Sequence, residues 1–297
     1  MGLLSLTRDS HEGLRELAFE TRGVSLNYAV GPETGPPLVL LHGLGRSWHV
    51  FLPLIPALSL RWQIYALDLR GHGKSSHVER GYHGPEYASD VSEFLRHRVG
   101  QPVVLFGHSL GAMISMWVAS AAPALVRALI LGDNMILSST LPPGYSSLFS
   151  ALRDLVRRGG TVEELAAGLA KIRVRVPGID EAVDLGELPG NDEAYLRSWA
   201  RYLQQVDPVA YEMTLDGSSV EGWDGEAVLK QIQCPALLLQ ASPSLGGMMT
   251  DHDVNRACTL LARPVRVKFP TLGHALFIQN PEPVLRAVTN FLESLGA

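Results

Sequence analysis

Three short runs of consecutive apolar residues constrain the fold of this 297-residue chain more than any other feature of its sequence. The runs cover residues 38–41, 64–67 and 103–106. Strands that are apolar on both faces are typical of a parallel sheet covered by helices on its two sides. Between the second and third runs, residues 85–99 place apolar side chains at helical spacing. Strands that alternate with helices in this way predict crossover units and an α/β fold.

Further strands and helices are predicted on either side of these runs. Residues 17–30 alternate in polarity around Gly23, which predicts an antiparallel hairpin at the start of the sheet. A helix is predicted from the turn at Ser109 to Ala122, followed by a strand at residues 126–131. Toward the C-terminus the pattern predicts strands at 235–239 and 265–269 and helices at 254–262 and 283–295.

The strand pattern stops between residues 134 and 225, where amphipathic helices and loops rich in proline and glycine follow one another. One helix is predicted to start at Thr161, the first residue of a capping-box pattern, and another at Asp192. We therefore predict a core made of residues 1–133 and 226–297, with a mostly parallel central sheet flanked by helices. Residues 134–225 are predicted to form a helical cap inserted into this core.

Composition and charge exclude several classes of function. Apolar residues make up 46% of the chain and charged residues 19%, which is enough apolar material for a large core. The formal net charge is −5 and Lys and Arg form no run, so nucleic acid is not an expected partner. Cys234 and Cys258 are too few for a disulfide framework and lack the spacing of a zinc site. Residues 1–14 have no continuous apolar segment and the chain has no long apolar run, so we expect a cytoplasmic protein without a membrane partner.

A motif typical of a nucleophile follows the third apolar run directly. The sequence Gly107-His108-Ser109-Leu110-Gly111 stands between a predicted strand and a predicted helix. A serine in such a tight turn adopts an unfavourable backbone conformation, and the glycines leave room for the neighbouring strand and helix. The hydroxyl then lies at a helix N-terminus, whose free N–H groups favour a developing negative charge. Ser109 is therefore the predicted nucleophile.

A second motif, His42-Gly43-Leu44-Gly45, follows the first apolar run. A loop in this place can contribute a backbone N–H group to the oxyanion of a tetrahedral intermediate. We predict that the backbone N–H groups of Leu44 and Leu110 form this oxyanion hole. The alternative is a glycine-rich turn with no catalytic role.

Four motifs together resemble those of the α/β-hydrolase superfamily in their order and spacing. They are His42-Gly-Leu-Gly, the segment Asp-Leu-Arg-Gly-His-Gly-Lys-Ser at residues 68–75, Gly107-His-Ser-Leu-Gly and Gly273-His274. The resemblance covers the whole chain except the predicted cap. It implies a hydrolase with a Ser-His pair that needs neither a metal nor an organic cofactor, and a structural role for segment 68–75. His42, His72 and His108 are expected to be hydrogen-bonded loop residues.

The predicted general base is His274, which lies in a loop between the strand at 265–269 and the final helix. Its place fits the order of serine, acid and histidine along chains of this fold. The other histidines lie near the N-terminus, within the early motifs or on predicted helices.

The acid has two candidates, because the sequence departs from the usual pattern of the superfamily. Ser242 and Ser244 stand after the strand at 235–239, where an aspartate is normally expected. Serine cannot stabilise an imidazolium by charge. Asp133 ends the strand that follows the nucleophile helix, and some haloalkane dehalogenases and zearalenone-type lactonases have their acid at that place. We favour Asp133, with Asp251 as the alternative.

These residues predict hydrolysis of a small-molecule carboxylic ester or lactone through an acyl-enzyme. The alternatives within the same fold are a carbon–carbon bond hydrolase and a cofactor-free perhydrolase, and from another class a ligand receptor that keeps the triad. Haloalkane dehalogenases and epoxide hydrolases carry aspartate where this chain has Ser109. The sequence does not indicate an oligomeric state.

Large side chains of the predicted cap either line a substrate pocket or pack the cap helices; they are Tyr195, Trp199, Tyr202, Tyr211, Met213 and Trp223.

Overall fold

The sheet begins with a hairpin in which strand β1 (Arg15–Thr21) pairs antiparallel with β2 (Val24–Val30). The computed structural model describes residues 13–175, 181–188 and 190–296. The two turn residues, Arg22 and Gly23, have φ angles of 40° and 82°. A two-residue turn with both φ angles positive matches the natural twist of the paired strands. The hairpin predicted around Gly23 is therefore confirmed.

The remaining core elements alternate as the apolar runs predict. The first half contains β3 (Pro37–Leu41), α1 (Ile55–Leu58), β4 (Gln63–Leu67), α2 (Gly84–Phe94), β5 (Val103–His108), α3 (Leu110–Ala121) and β6 (Val126–Gly132). The next segment contains α4 (Tyr145–Arg158), α5 (Val162–Ala170), β7 (Arg173–Val174), β8 (Val183–Asp184), α6 (Glu193–Leu203), α7 (Pro208–Leu215) and α8 (Gly225–Gln231). The last part contains β9 (Pro235–Ala241), α9 (Asp251–Leu260), β10 (Arg263–Phe269), α10 (Leu276–Gln279) and α11 (Pro281–Ser294).

Eight strands form one sheet in the order β1-β2-β4-β3-β5-β6-β9-β10. The strands from β4 to β10 in this order pair parallel with their neighbours, and β2 joins β4 antiparallel. Val39 and Leu105 belong to the apolar core on one side of the sheet, and Leu40 and Phe106 to the core on the other. The central strands are thus buried on both faces, and the predicted α/β fold with its mostly parallel sheet is confirmed.

The bounds of three predicted helices need correction, and the last of them, predicted from residue 283, begins at Pro281. The helix predicted over residues 85–99 is α-helical only to Phe94, and residues 95–99 form a wider π-type turn that ends at Gly100, whose φ is 74°. The helix predicted from residue 254 begins earlier, at Asp251, because the hydroxyl of Thr250 accepts a hydrogen bond from the N–H of Asp253 and so caps its first turn.

The segment between β6 and β9 builds an apolar cluster of its own, with Leu155, Leu169 and Leu203 among its buried members. Within the described ranges it contributes no strand to the eight-stranded sheet, and its strands β7 and β8 pair only with each other. The capping box at Thr161 and the N-cap at Asp192 are confirmed by hydrogen bonds from the backbone. No helix in the described part of the chain combines the length and the apolar character needed to cross a bilayer.

Candidate active site

Ser109 lies at the junction of β5 and α3 in a strained backbone conformation, with φ 55° and ψ −118°. Both flanking glycines are required by close backbone contacts. A Cβ atom at Gly107 would lie 2.2 Å from the carbonyl oxygen of Gly111, and one at Gly111 would lie 2.1 Å from that of Leu41. Such strain persists only where the surrounding structure enforces it, and it is typical of functional sites.

The structure brings the predicted nucleophile, base and favoured acid together at the carboxyl ends of the strands. Nε2 of His274 lies 3.1 Å from Oγ of Ser109, and Nδ1 of the same ring lies 2.7 Å from Oδ2 of Asp133. A carboxylate only accepts hydrogen bonds, so the Nδ1–H group donates to it and Nε2 is left to accept the serine proton. The three side chains form one continuous chain of hydrogen bonds.

The Asp133 carboxylate is fully buried and is held by three further donors. Oδ1 accepts from the N–H groups of Ala241 and Met249, each at 3.2 Å, and Oδ2 accepts from the N–H of Met248 at 2.8 Å. Hydrogen bonds from backbone N–H groups compensate for the desolvation of a buried charge. The end of β9 and the loop after it therefore hold the predicted acid through backbone N–H groups.

Asp251, the alternative acid, does not meet His274. It lies at the start of α9, where its two oxygens accept from Nζ of Lys268 at 2.8 and 2.7 Å. Gln240 donates to it at 3.0 Å, and Arg266 also pairs with it. These partners, Lys268 first, lower the pKa of Asp251 to about 2. The charge of Asp251 is therefore paired with Lys268 and Arg266 at the surface and not with His274.

The two residues predicted to form the oxyanion hole line the same small cavity as the predicted nucleophile. Leu44, Leu110 and Ser109 all line it, and a Cβ atom at Gly43 would lie 3.0 Å from Cβ of Ser109. Neither the N–H of Leu44 nor that of Leu110 donates to another group within residues 13–175, 181–188 and 190–296. Both N–H groups are therefore unpaired, as the predicted oxyanion hole requires.

The cavity beside Ser109 is apolar and narrow, with a volume of about 40 Å³. Thr214 and Ser219 add hydroxyl groups to its wall. Its other lining residues are Met113, Met135, Leu141, Phe149, Val220 and Met248. Of these residues, only Met135 could have been expected from the sequence. It comes just after Asp133, at the end of a predicted strand, and strand ends of this kind carry the site.

None of the six large side chains singled out from the sequence is among the residues that line this described cavity. Trp199 and Tyr211 are instead buried in the apolar cluster between β6 and β9. Trp223 packs edge-on against Trp117 of α3, with ring centres 4.7 Å apart. These three side chains are therefore used for packing, which is the second of the two roles predicted for them.

The whole arrangement matches a known family over most of the chain. Residues 36–281 match the family model described as alpha/beta hydrolase fold. This chain belongs to that family. The family match and the parallel sheet agree, since the matched range runs from β3 to the start of α11.

Similar proteins of this α/β-hydrolase family include enzymes with named substrates. A 2-(acetamidomethylene)succinate hydrolase of Mesorhizobium japonicum is 27% identical over 268 residues, which are 88% of this chain and 89% of that protein. The crystal structure of an E-2-(acetamidomethylene)succinate hydrolase superposes with a TM-score of 0.72 at 24% identity, covering 94% of this chain and 99% of the other. A membrane phospholipase A structure gives 0.72 at 26% identity, covering 96% and 88%.

Two loop histidines of this α/β hydrolase are neutral structural groups. His42 donates from Nδ1 to the carbonyl of Gly43 and accepts from the N–H of Leu69, while His72 accepts from the N–H of Gly45. Burial lowers the pKa of His42 to about 4 and that of His72 to about 3. Both rings shape the loop that carries the predicted oxyanion donor.

His108 contacts the predicted base directly, which sequence reasoning missed. Its Nε2–H group donates to the carbonyl oxygen of His274 at 2.8 Å, and the two rings lie 4.8 Å apart. Burial, together with the neighbouring His274, lowers the pKa of His108 to about 3, so that its ring stays neutral. A backbone carbonyl as acceptor leaves no signal in the sequence.

Proposed function

We propose that this protein is a serine hydrolase that cleaves a carboxylic ester or a lactone through an acyl-enzyme. The observation that carries the proposal is the chain of hydrogen bonds from Asp133 through His274 to Ser109. Acyl transfer is supported because Ser109 lines one cavity together with Leu44 and Leu110, whose backbone N–H groups have no partner among the described residues.

Acylation begins when Oγ of Ser109 attacks the substrate carbonyl and Nε2 of His274 takes its proton. The charged imidazole is stabilised by the Asp133 carboxylate, which also keeps the ring in the correct tautomer. Charge on the carbonyl oxygen develops beside the N–H groups of Leu44 and Leu110. His274 then returns the proton to the leaving alcohol, and the acyl group remains on Ser109.

Deacylation repeats these steps with water as the nucleophile. His274 removes a proton from the water molecule while it attacks the acyl carbonyl, and the tetrahedral intermediate uses the same two donors. The acid product leaves when the proton on His274 returns to Ser109. Every proton in this scheme moves to or from Nε2 of His274, which requires no group outside the described site.

A second candidate is the hydrolysis of an amide. It is favoured by the relative from Mesorhizobium japonicum, whose named substrate bears an acetamido group. The same three residues serve an amide, but an amine is a poorer leaving group than an alcohol and needs protonation by His274 as it leaves. We place esters first because the narrow, mainly apolar cavity offers only Thr214 and Ser219 as polar partners for a leaving group.

We also propose that residues 134–225 act as a lid over Ser109. The lining of the cavity beside Ser109 includes four apolar residues of this segment, which are Met135, Leu141, Phe149 and Val220. About 40 Å³ holds one or two water molecules, so an acyl substrate enters only if these wall residues move. Lids that close over a substrate exclude water from the reaction.

The experiment that tests the function is turnover of matched acyl compounds by the purified protein. A p-nitrophenyl ester, a lactone and the corresponding anilide are compared for the wild type and for Ser109→Ala. We expect hydrolysis of the ester by the wild type and a loss of several orders of magnitude in the variant. Turnover of the anilide at a higher kcat/KM than the ester would favour the second candidate. Absence of turnover for all three compounds would reject both.

A further inference from the structure

The guanidinium group of Arg46 lies between the loop that carries Leu44 and helix α6 above it. Its Cζ atom lies 3.8 Å from the centre of the Trp199 ring, and Nη2 donates to the hydroxyl of Tyr195 at 3.0 Å. Nη1 is buried and meets no acceptor among the described residues. In that part of the chain Arg46 also forms no ion pair with an Asp or Glu side chain. A half-buried cation without an anionic partner is costly, so its retention needs a reason.

Two more buried polar atoms without partners lie around Arg46. They are Nε1 of Trp199, whose ring stacks on the guanidinium, and the hydroxyl of Tyr211. The hydroxyl of Tyr211 lies against Gly45, the chain neighbour of Arg46, since a Cβ atom there would come within 1.9 Å of it. Guanidinium and indole N–H groups only donate hydrogen bonds. The unpaired N–H groups of Arg46 and Trp199 therefore lack an acceptor among the described residues, and the positive charge of Arg46 favours an anion as their partner.

This cluster borders the catalytic centre. Arg46 is two residues from Leu44, and Phe149, which lines the cavity at Ser109, packs against the ring of Tyr211 with centres 6.0 Å apart. The charge of Arg46 is also one of the causes, after burial and His274, that lower the pKa of His108. A ligand held by Arg46 would thus reach toward the cavity from the side of the oxyanion loop.

We propose that Arg46 binds a carboxylate carried by the substrate, so that the enzyme prefers half-esters of short dicarboxylic acids. The proposal rests on the proposed esterase function. A guanidinium pairs with a carboxylate through two parallel hydrogen bonds, and the orphaned Nη1 supplies one of them. Stacking on Trp199 holds the planar group in place before binding, which lowers the entropy lost on binding.

The test compares two substrates that differ only at the end of the acyl chain. Monoethyl glutarate carries a carboxylate where ethyl pentanoate carries a methyl group, and acid release from both is followed by titration at constant pH. We expect the wild type to prefer the anionic ester by at least about tenfold in kcat/KM. Arg46→Gln should lower this preference by about 10- to 100-fold, and Arg46→Lys should retain part of it.

Arg98→Gln is the matched control. Arg98 also stacks on aromatic rings, those of Tyr28 and Tyr65, but it lies beside Gln63 at the opposite end of the parallel strands from Ser109. This variant should keep the wild-type preference. An equal loss for both esters in Arg46→Gln and Arg46→Lys would overturn the proposal, because Arg46 would then only tie the loop to α6. A wild-type preference for ethyl pentanoate would overturn it as well.

Calorimetric titration with glutarate separates this proposal from the proposed function. Binding of glutarate to the wild type that is lost in Arg46→Gln supports the carboxylate site even if neither ester is hydrolysed, and in that case only the esterase proposal fails. Hydrolysis of ethyl pentanoate without any binding of glutarate gives the reverse result: the esterase stands and the carboxylate site is rejected.

Discussion

Nδ1 of His274 lies 2.7 Å from Oδ2 of Asp133, although the two residues are 141 positions apart in the sequence. Asp133→Asn keeps the size of the side chain but removes the charge and permits the wrong imidazole tautomer. We expect kcat for an ester to fall by up to about 10⁴-fold, by analogy with other triads. The measurement is steady-state kinetics on a p-nitrophenyl ester.

Asp251→Asn is the control for this variant, since Asp251 pairs with Lys268 away from the site. It should change kcat by less than about threefold, because its partners Lys268, Gln240 and Arg266 do not belong to the triad. If the control lost activity and Asp133→Asn kept it, the acid would have been assigned to the wrong residue.

Covalent labelling tests the nucleophile independently of substrate choice. An alkyl phosphonate should add to Oγ of Ser109, because the reagent mimics the tetrahedral intermediate and the activated serine attacks its phosphorus atom. Mass spectrometry of the digested protein should find the adduct on the peptide containing Ser109, and Ser109→Ala should remain unlabelled. An adduct confined to another serine would contradict the assignment.

The tight turn at the nucleophile predicts a difference between two glycine substitutions. Gly107→Ala places Cβ 2.2 Å from the carbonyl oxygen of Gly111, whereas Gly31→Ala places it 3.6 Å from its nearest neighbours, among them the side chain of Ile64. We expect Gly107→Ala to lower the free energy of unfolding by about 3 kcal/mol or more, because backbone must shift. Gly31→Ala should change it by less than about 1 kcal/mol. Equal urea midpoints for the two variants would contradict the close contact between Gly107 and Gly111.

The buried histidines predict a loss of stability on acidification. The folded-state pKa of His72 and that of His108 are lowered to about 3, and that of His42 to about 4, so only the unfolded chain binds protons at these sites between pH 6.5 and 4. Stability is therefore complete above pH 6.5 and falls as the pH drops, by up to about 1.4 kcal/mol per pH unit for each ring.

Urea unfolding at pH 7.5 and at pH 5.5 measures this change. The variant His72→Asn is the comparison: it should be less stable than the wild type at pH 7.5 but show a smaller decrease at pH 5.5. A wild-type free energy of unfolding that is equal at the two values, or a decrease unchanged in the variant, would mean that these rings do not resist protonation in the folded protein.

The lid proposal predicts a change in chain-length preference. Phe149→Ala removes a large side chain from the wall of the cavity and should shift the preferred acyl chain to longer esters, while phosphonate labelling of Ser109 continues. A series of p-nitrophenyl esters with increasing acyl length measures the shift. Leu60→Ala, at an exposed position, is the control and should leave the preference unchanged. Identical profiles for wild type and Phe149→Ala would remove Phe149 from the substrate site.

The sequence predicts the core well because the physical signals are local. A strand such as β3 is buried on both faces, so its residues are apolar without alternation. Gly107 is required by its contact with Gly111 across the strand-to-helix turn itself. These signals do not depend on how distant parts of the chain pack.

The parts that could not be predicted depend on such packing. Phe149 and Trp199 lie on two amphipathic helices, α4 and α6, whose apolar residues recur at the same helical period. Which of the two side chains reaches the cavity is decided by how each helix packs on the core. Contacts made by backbone groups, such as the hydrogen bond from His108 to the carbonyl of His274, are independent of the residue type that supplies the carbonyl. Sequence patterns contain no information about them.

Met248 has two separate roles, one for its backbone and one for its side chain. Met248 holds Asp133 through its N–H group, while its side chain lines the cavity beside Ser109. Every amino acid except proline offers the same backbone N–H group, whatever its side chain. Position 248 is therefore a place where evolution or laboratory selection can reshape substrate preference at little risk to the charge chemistry, provided that proline is avoided.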